Sequence, residues 1–242
     1  MNKLRKAARI AWKDSKIYYF SAPTVMMGLL FPVLMFLTFW IGRGLSVSEA
    51  LPGLAALTAF FSGSSIGVTT LALERTKGTF DTQLAMPVSH LTLVLGKTIA
   101  SFLYGFTITI IPVGLIAVVS QSRVVSPLLL LVGIAFSALA SAGLGMVLSA
   151  TARHVHDAMA PLNIIRIPMM FISGLFAPIA SLPTLLQGIA YIMPLTHTVI
   201  SLDYAILGVG GIQSFLVGIG ALTFYAVLFL VVASKRLEKS MG

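Results

Sequence analysis

Long apolar runs alternate with short charged or turn-forming segments along the chain. Six of the runs are long enough to cross a bilayer as a helix, which takes about 20 consecutive apolar residues. They cover residues 20–42, 53–73, 98–119, 126–150, 158–177 and 212–234. The pattern predicts an all-α integral membrane protein whose six transmembrane helices form one domain over residues 20–234.

Residues 178–211 are apolar but do not follow this pattern. Pro183, Pro194, His197 and Asp203 interrupt the segment, and none of its uninterrupted runs reaches spanning length. Apolar stretches of about 10–14 residues are typical of re-entrant or interfacial segments. We therefore predict a re-entrant, external segment between the fifth and sixth helices.

Residues 1–19 have a helical pattern of their own. Apolar or aromatic residues and basic residues recur at helical spacing, and the two predicted faces are Leu4, Ala8, Ala11, Trp12 and Tyr19 against Lys6, Arg9, Lys13 and Lys16. An amphipathic helix of this kind lies in the membrane interface, with its basic side chains at anionic head groups. The alternative is a basic flank that only orients the first transmembrane helix.

The basic residues also predict the topology. Thirteen Lys and Arg residues fall on one side of the six predicted helices, and two, Arg43 and Arg123, fall on the other. Cytoplasmic loops carry the excess of Lys and Arg in multi-pass membrane proteins. Both termini, including the tail 235–242, are therefore predicted to be cytoplasmic.

Composition agrees with a membrane protein and narrows the chemistry. Of the 242 residues, 57% are apolar and 10% are charged, whereas soluble domains carry about 25% charged residues. The topology explains the formal net charge of +9, so we expect no nucleic-acid partner. Because the chain has no cysteine, disulfides and cysteine nucleophiles are excluded.

Groups for catalysis are missing from the predicted helices. All seven Asp and Glu residues lie in loops or at helix ends, whereas an intramembrane enzyme needs such groups within its helices. His154 and His156 are two residues apart and point to different helix faces, so we expect no metal site. Gly96-Lys97-Thr98 is similar to the end of a phosphate-binding loop, but Leu91 replaces its first glycine. We expect no catalytic residue and no bound cofactor, and we assign Lys97 to the cytoplasmic membrane surface.

One charged residue enters a predicted helix. Arg166 follows Asp157 by nine residues, which places it about 13 Å along the helix, near the middle of the bilayer. The candidates for lining a pathway are Asn163, Arg166, Phe36, Phe39 and Trp40. The alternatives are a structural hydrogen bond of Arg166 to backbone carbonyls and aromatic side chains that face lipid.

Small residues form a stripe on the fourth predicted helix. Its members are Ser137, Ser141, Gly145 and Ser149 at four-residue spacing, and Gly63 and Gly67 form a weaker counterpart on the second helix. Small residues at this spacing let two helices approach closely. We interpret the stripe as a packing surface.

Two motifs resemble those of one transporter family. Residues 74–89 read Glu-Arg-Thr-Lys-Gly-Thr-Phe-Asp-Thr-Gln-Leu-Ala-Met-Pro-Val-Ser, and Gly96-Lys97 follow. Residues 173–178 read Ser-Gly-Leu-Phe-Ala-Pro, followed by Leu182-Pro183 and Met193-Pro194-Leu195-Thr196-His197. Their order and spacing, together with the six crossings, resemble the type-two ABC exporter permeases.

This resemblance implies partners and site residues. Two six-helix permease subunits, identical or related, form a pathway in a prokaryotic cell membrane, and separate ABC ATPase subunits bind ATP and Mg²⁺. The loop 74–90 then couples the ATPase to transport, and the implied contact residues are Glu74, Arg75, Gly78, Thr79, Asp81 and Leu84. The segment 178–211 caps the pathway, and the implied gate residues are Ser173, Gly174, Pro178, Pro183 and Pro194.

The implied activity is the export of an amphipathic small molecule, drug or lipid by alternating access. Two alternatives remain open on the sequence. The first is export of a lipid-linked glycan on the same scaffold. The second is a non-transporting membrane scaffold or sensor that signals through an ATPase.

Overall fold

The computed structural model describes residues 3–19, 25–80, 89–121 and 124–240. Within these ranges every regular element is helical, as the sequence predicts. The α-helices in these ranges, in chain order, are α1 Lys3–Tyr18, α2 Phe31–Arg43, α3 Val47–Thr76, α4 His90–Val119, α5 Pro127–Ser149, α6 Val155–Ile172, α7 Thr184–Ile192, α8 Pro194–Leu207 and α9 Gly211–Lys239. A π-helical turn, Met26–Leu30, leads into α2, and a 3₁₀ turn, Ile179–Ser181, precedes α7.

Serine side chains cap the first turns of three long helices, α3, α4 and α5. Ser46 and Glu49 form a capping box at the start of α3, in which the Ser46 amide donates to Glu49 Oε2 at 2.9 Å. Ser89 and Ser126 cap α4 and α5, and each hydroxyl accepts from a backbone N–H three residues later at 3.4 Å. Such caps satisfy N–H groups that the first turn of a helix leaves unpaired.

Four of the described helices, α3, α4, α5 and α9, are long and apolar enough to cross a membrane. They correspond to the predicted crossings at 53–73, 98–119, 126–150 and 212–234. Helices α7 and α8 qualify as a further span only as a pair, and they are bent by 84° at their junction. The crossings at 20–42 and 158–177 fall on the shorter helices α2 and α6, so the total of six stays a prediction.

Helix α3 lies at the centre of the bundle. It packs against α2, α4, α5, α6 and α8, and the whole of its most apolar 18-residue stretch is buried. Helix α9 packs against α4, α5 and α8. The outer faces of α4 and α9 are exposed and apolar, with Ile111, Leu115, Leu216 and Phe224 among their side chains. Such faces are expected where helices meet lipid.

The stripe of small residues on α5 is confirmed as a packing surface. Gly145 lies against the backbone of Ser64 and Gly67, and a Cβ at Gly67 would stand 2.7 Å from the carbonyl oxygen of Ala142. Ser149 donates a hydrogen bond to the carbonyl of Gly67 at 3.0 Å. Helices α3 and α5 therefore meet backbone to backbone, which small residues allow.

The basic segments come together at one end of the bundle, which we call the basic end. It comprises α1, the last turns of α3, α5 and α9 and the first turns of α4 and α6. Thr76 Oγ1 donates there to the carbonyl of Arg153 at 3.2 Å. At the opposite end, Arg43 donates to the carbonyl of Phe176 at 2.7 Å, which joins α2 to the turn after α6.

Candidate functional site

A buried charge cluster joins three helices at the basic end. Lys13 and Asp14 belong to α1, Glu74 to the last turn of α3 and Lys97 to the start of α4. Lys97 Nζ lies 3.1 Å from Asp14 Oδ2 and also donates to Glu74 Oε2. Lys13 Nζ lies 2.5 Å from Glu74 Oε1 and 3.2 Å from Asp14 Oδ1. The two positive and two negative charges balance.

Burial explains why these charges are paired. Asp14, Glu74 and Lys97 are at most 1% exposed, and a buried charge without a partner costs several kcal/mol. Burial by itself lowers the pKa of Lys13, but the hydrogen bond to Glu74 and the negative charges of Asp14 and Glu74 raise the pKa above its ordinary value. Lys13 therefore stays protonated at neutral pH.

Small residues let α1 lie close to α4. Gly96 of α4 faces α1 so closely that a Cβ would stand 2.8 Å from Ile10 Cβ and 2.9 Å from the carbonyl oxygen of Ala7. Ala7 and Ala11 are buried in this contact. With Asp14 they recur every three or four residues, which places all three on one helix face. The face of α1 that packs on α4 thus places Asp14 next to Lys97.

The structure corrects the predicted faces of α1. Lys13 is half-buried in the charge cluster and does not point to head groups, and Ala11 does not share a face with Trp12. Trp12 is 68% exposed and lies beside Lys16, whose Nζ is 5.1 Å from the centre of the ring. The prediction failed because helical spacing alone does not show which face meets protein. An acid, Asp14, within a basic stretch was the signal that was missed.

The structure also corrects the prediction for Lys97. The sequence assigned Lys97 to the cytoplasmic membrane surface, but its side chain is fully buried between Asp14 and Glu74. The physical reason is that both carboxylates are buried beside it and need a cation. Lys97 is a structural partner of α1 and α3.

Arg75 ties three further segments of the basic end together. Its guanidinium donates to the carbonyls of Ala150 at 2.7 Å and Ala152 at 3.1 Å and to the hydroxyl of Ser240 at 3.0 Å. It also lies over the ring of Phe80, 4.9 Å from the ring centre. The end of α3 is therefore fixed to the ends of α5 and α9.

The predicted coupling residues fall into an inward and an outward group. Glu74 and Arg75 make the inward contacts described above, whereas Gly78 and Thr79 are exposed. Gly78 has a φ of +69°, in the left-handed region that favours glycine. The chain turns there at the end of α3, and the exposed turn carries no bulky side chain at Gly78.

Three predicted site residues lie outside what the structure describes: Asp81, Leu84 and the side chain of Phe39.

The other residues of α2 that we expected to line a pathway border two apolar grooves. Phe36 and Trp40 face one groove of about 310 Å³ between α2, α3 and α4. They also border a smaller groove toward the turn after α6.

Arg166 is fully buried between α6 and α3. Its Nη2 donates to Ser64 Oγ at 2.7 Å, to Ser65 Oγ at 3.1 Å and to the carbonyl of Phe61 at 3.3 Å. The guanidinium carbon lies 4.7 Å from the centre of the Phe61 ring. These partners belong to α3, and Asn163 is not among them. The expected pathway residues of α2 and α6 therefore lie in two separate places.

The predicted gate residues lie at the junctions between α6 and α8. Ser173 and Gly174 end α6, Pro178 precedes the 3₁₀ turn, Pro183 precedes α7 and Pro194 begins α8. Helix α6 ends at Ile172, earlier than the predicted boundary at 177, because Gly174 adopts a φ of +88° and turns the chain. The segment 178–211 is interrupted, as predicted, because α7 and α8 are bent by 84° at their junction. Its depth in the membrane stays a prediction.

A sequence profile of the ABC-2 type transporter family matches residues 4–207. The chain belongs to the ABC-2 type transporter family. The inner membrane transport permease YhhJ of Escherichia coli (strain K12) is 27% identical over 211 residues, which cover 84% of this chain and 53% of that protein. Nodulation protein J of Neorhizobium galegae is 27% identical over 250 residues, which cover 96% of this chain and 90% of that protein.

Membership of the ABC-2 type transporter family confirms the predicted resemblance. Together with the long apolar helices, it identifies a multi-pass membrane protein of the transporter permease class. This ABC-2 chain spans about half the length of the Escherichia coli relative. A second nodulation protein J, from Rhizobium leguminosarum bv. viciae, is 32% identical over 108 residues, 45% of this chain and 41% of that protein.

Proposed function

We propose that this chain is the permease subunit of an ATP-driven exporter. It moves an amphipathic small molecule, drug or lipid out of the cytoplasm or the inner leaflet. Separate ABC ATPase subunits bind and hydrolyse ATP with Mg²⁺, and two permease subunits, identical or related, form the pathway. Family membership supports the transport role, and the geometry of the basic end supports the coupling role.

The charge cluster is the observation that carries this proposal. It fixes α1, the end of α3 and the start of α4 to one another, so the loop 74–90 leaves and re-enters a single body. Arg75 extends that body to α5 and α9. Switching proteins move packed elements as rigid bodies. A force applied at the exposed turn around Gly78 therefore moves α3 and α4 together.

The proposed topology places the basic end in the cytoplasm. Six crossings, with α2 and α6 as the first and fifth, put both termini on that side. Helix α1 lies in the interface, since its exposed face carries Arg5, Arg9, Trp12 and Lys16 and such faces bind anionic lipid surfaces. The bent segment 178–211 dips into the outer leaflet and closes the pathway from outside.

The proposed mechanism combines movement of the basic end and the α3–α5 pair with opening of the bent segment 178–211. ATP closes the ATPase subunits, which carry the basic ends of both permease subunits with them. Helices α3 and α5 move as one pair because their backbones are in contact. The two subunits thereby exchange an inward-open for an outward-open packing, and the segment 178–211 opens at its helix junctions.

A pull-down from native membranes tests the proposal. The chain is extracted in mild detergent and the co-purifying proteins are identified by mass spectrometry. The expected result is an ABC ATPase that is lost from Gly78→Ala, because a Cβ strains the left-handed turn. Gly44→Ala is the matched control, since Gly44 also has a positive φ, +61°, and open space around it, but lies at the opposite end.

Two results count against the proposal. Recovery of no ATPase with the unaltered chain removes the exporter function. Equal recovery with Gly78→Ala and Gly44→Ala keeps an ATPase partner but removes the coupling role of the turn.

A further inference from the structure

Arg166 carries a charge that no described residue neutralises. Among the described residues it is the largest fully buried side chain, and the acceptors around Nη2 are two hydroxyls and a carbonyl, all neutral. Within the described residues no carboxylate forms a salt bridge with it, and its Nε and Nη1 have no hydrogen-bond partner. Burial of a charge without an opposite charge beside it is strongly unfavourable.

A structural role for Arg166 does not account for this cost. Helix α3 meets α5 through glycines and hydroxyls without any charge. Some hydroxyls of α3 donate to carbonyls of their own helix, as Ser62 does to Thr58 and Thr69 to Ser65. A neutral side chain at position 166 would hold α6 against α3 with no charge to bury. The uncompensated guanidinium therefore favours a ligand that carries the opposite charge.

Helix α6 is placed so that it can uncover the guanidinium. It packs on α3 and α5 with one face, while Ile164, Ile165, Ile167 and Phe171 on its other side are exposed. If α6 moves away from α3, the contact between these two helices is lost. Arg166, Ser64 and Ser65 then become accessible together. A guanidinium with two adjacent hydroxyls matches the several acceptor oxygens of a phosphate group.

We propose that Arg166 binds the phosphate head group of the transported amphiphile. This inference rests on the proposed export function and narrows its cargo to phosphate-bearing amphiphiles. The apolar part of the cargo suits the surroundings, because Phe61, Leu162, Met169 and Met170 belong to the same buried apolar cluster. Ser64 and Ser65 supply further hydroxyl groups to the head group once α6 has moved.

Ligand binding to the purified chain in dodecyl maltoside micelles, which contain no phosphate group, tests the inference. The probes are dodecyl phosphate, dodecyltrimethylammonium with the same tail and opposite charge, and inorganic phosphate without a tail. We expect dodecyl phosphate to bind saturably and at least about tenfold more tightly than either of the others, as one charge-assisted contact implies. Arg166→Gln removes the preference, and Arg166→Lys, which keeps the charge but loses the planar set of donors, retains only part of it. Arg43→Gln, which alters an arginine at the opposite end, leaves the preference unchanged.

Photo-crosslinking keeps the test decisive if Arg166→Gln does not fold. A photoreactive dodecyl phosphate is expected to label the unaltered chain within residues 61–65 and 162–170. Labelling elsewhere, or equal binding by the unaltered chain and Arg166→Gln, overturns the inference. Inorganic phosphate that binds as tightly as dodecyl phosphate also overturns it, since the site then takes a free anion.

The outcomes separate this inference from the proposed function, because the binding assay needs no ATPase. Recovery of an ATPase without saturable dodecyl phosphate binding keeps the exporter and removes the anion site. Saturable binding without any ATPase in the pull-down keeps the site as a lipid-binding site and removes the exporter on which the cargo assignment rests.

Discussion

Lys97 is the residue that decides how the basic end holds together. Its ammonium group contacts carboxylates from two other helices and is fully buried with both of them. Removing one partner from a buried ion pair leaves the others uncompensated, which costs more than the pair itself contributes. Loss of Lys97 would therefore destabilise both the packing of α1 on α4 and the position of the end of α3.

Replacement of Lys97 by methionine is expected to lower the free energy of unfolding by about 3–5 kcal/mol. The physical reason is that Asp14 and Glu74 lose the buried cation between them. Thermal unfolding of the purified chain in detergent measures the effect. Lys16→Met is the matched control, because Lys16 lies exposed on α1. Equal melting temperatures for the two variants would show that the cluster adds nothing to stability.

The charge cluster was beyond prediction from the sequence. Asp14 lies 83 residues from Lys97, and Glu74 lies 23 residues from it, so no local pattern connects them. The sequence did place Arg166 inside a helix, since one arginine interrupts an apolar run. It did not predict which helix Arg166 faces, because Ser64 and Ser65 look like any small residues of a packed helix.

Helices α3 and α5 pack directly against each other through their backbones. Their small residues bring the backbones into contact, and a Cβ at Gly145 would collide with the carbonyl oxygen of Ser64. Periodicity predicted both the stripe and the helices that carry it, because apolar runs and small-residue spacing are local properties. The same reasoning failed for α1, whose orientation depends on Gly96 of another helix.

Enlargement of Gly145 is expected to separate α3 from α5. Gly145→Leu should lower stability by about 1–3 kcal/mol or more, since overpacking forces the backbones apart, and should abolish ATP-driven transport. Gly114→Leu on α4 is the control, because nothing lies within 4 Å of a Cβ there. Unchanged transport by Gly145→Leu in proteoliposomes would contradict a rigid α3–α5 pair.

The orientation of α1 is expected to appear in cysteine labelling. The chain has no cysteine of its own, so Ala8→Cys and Ala11→Cys can be compared directly. Ala8 is exposed, whereas Ala11 is buried against α4. A soluble maleimide should therefore modify Ala8→Cys several times faster. The reverse order would mean that α1 docks through the face that carries Trp12.

The whole molecule has a basic end and an opposite end with few charges. Thirteen of the Lys and Arg residues belong to the segments predicted to lie on one side, and contacts such as those of Arg75 with Ala152 and Ser240 join these segments in space. Charge distribution along the sequence was therefore a good guide to which helix ends meet.

Labelling in intact cells is expected to reveal the direction of the chain across the membrane. Gln121→Cys lies at the opposite end and Lys77→Cys at the basic end, and both positions are exposed. A membrane-impermeant maleimide should modify Gln121→Cys in intact cells and Lys77→Cys only after permeabilisation. Modification of both in intact cells would exclude a cytoplasmic basic end.

The charge cluster also sets an order of events while the chain is being made. Lys13 and Asp14 leave the ribosome first, Glu74 follows and Lys97 comes last. Until Lys97 has emerged, Asp14 cannot form its buried ion pair, and α1 stays undocked at the membrane surface. Helix α1 therefore reaches its final place only after α4 has been inserted.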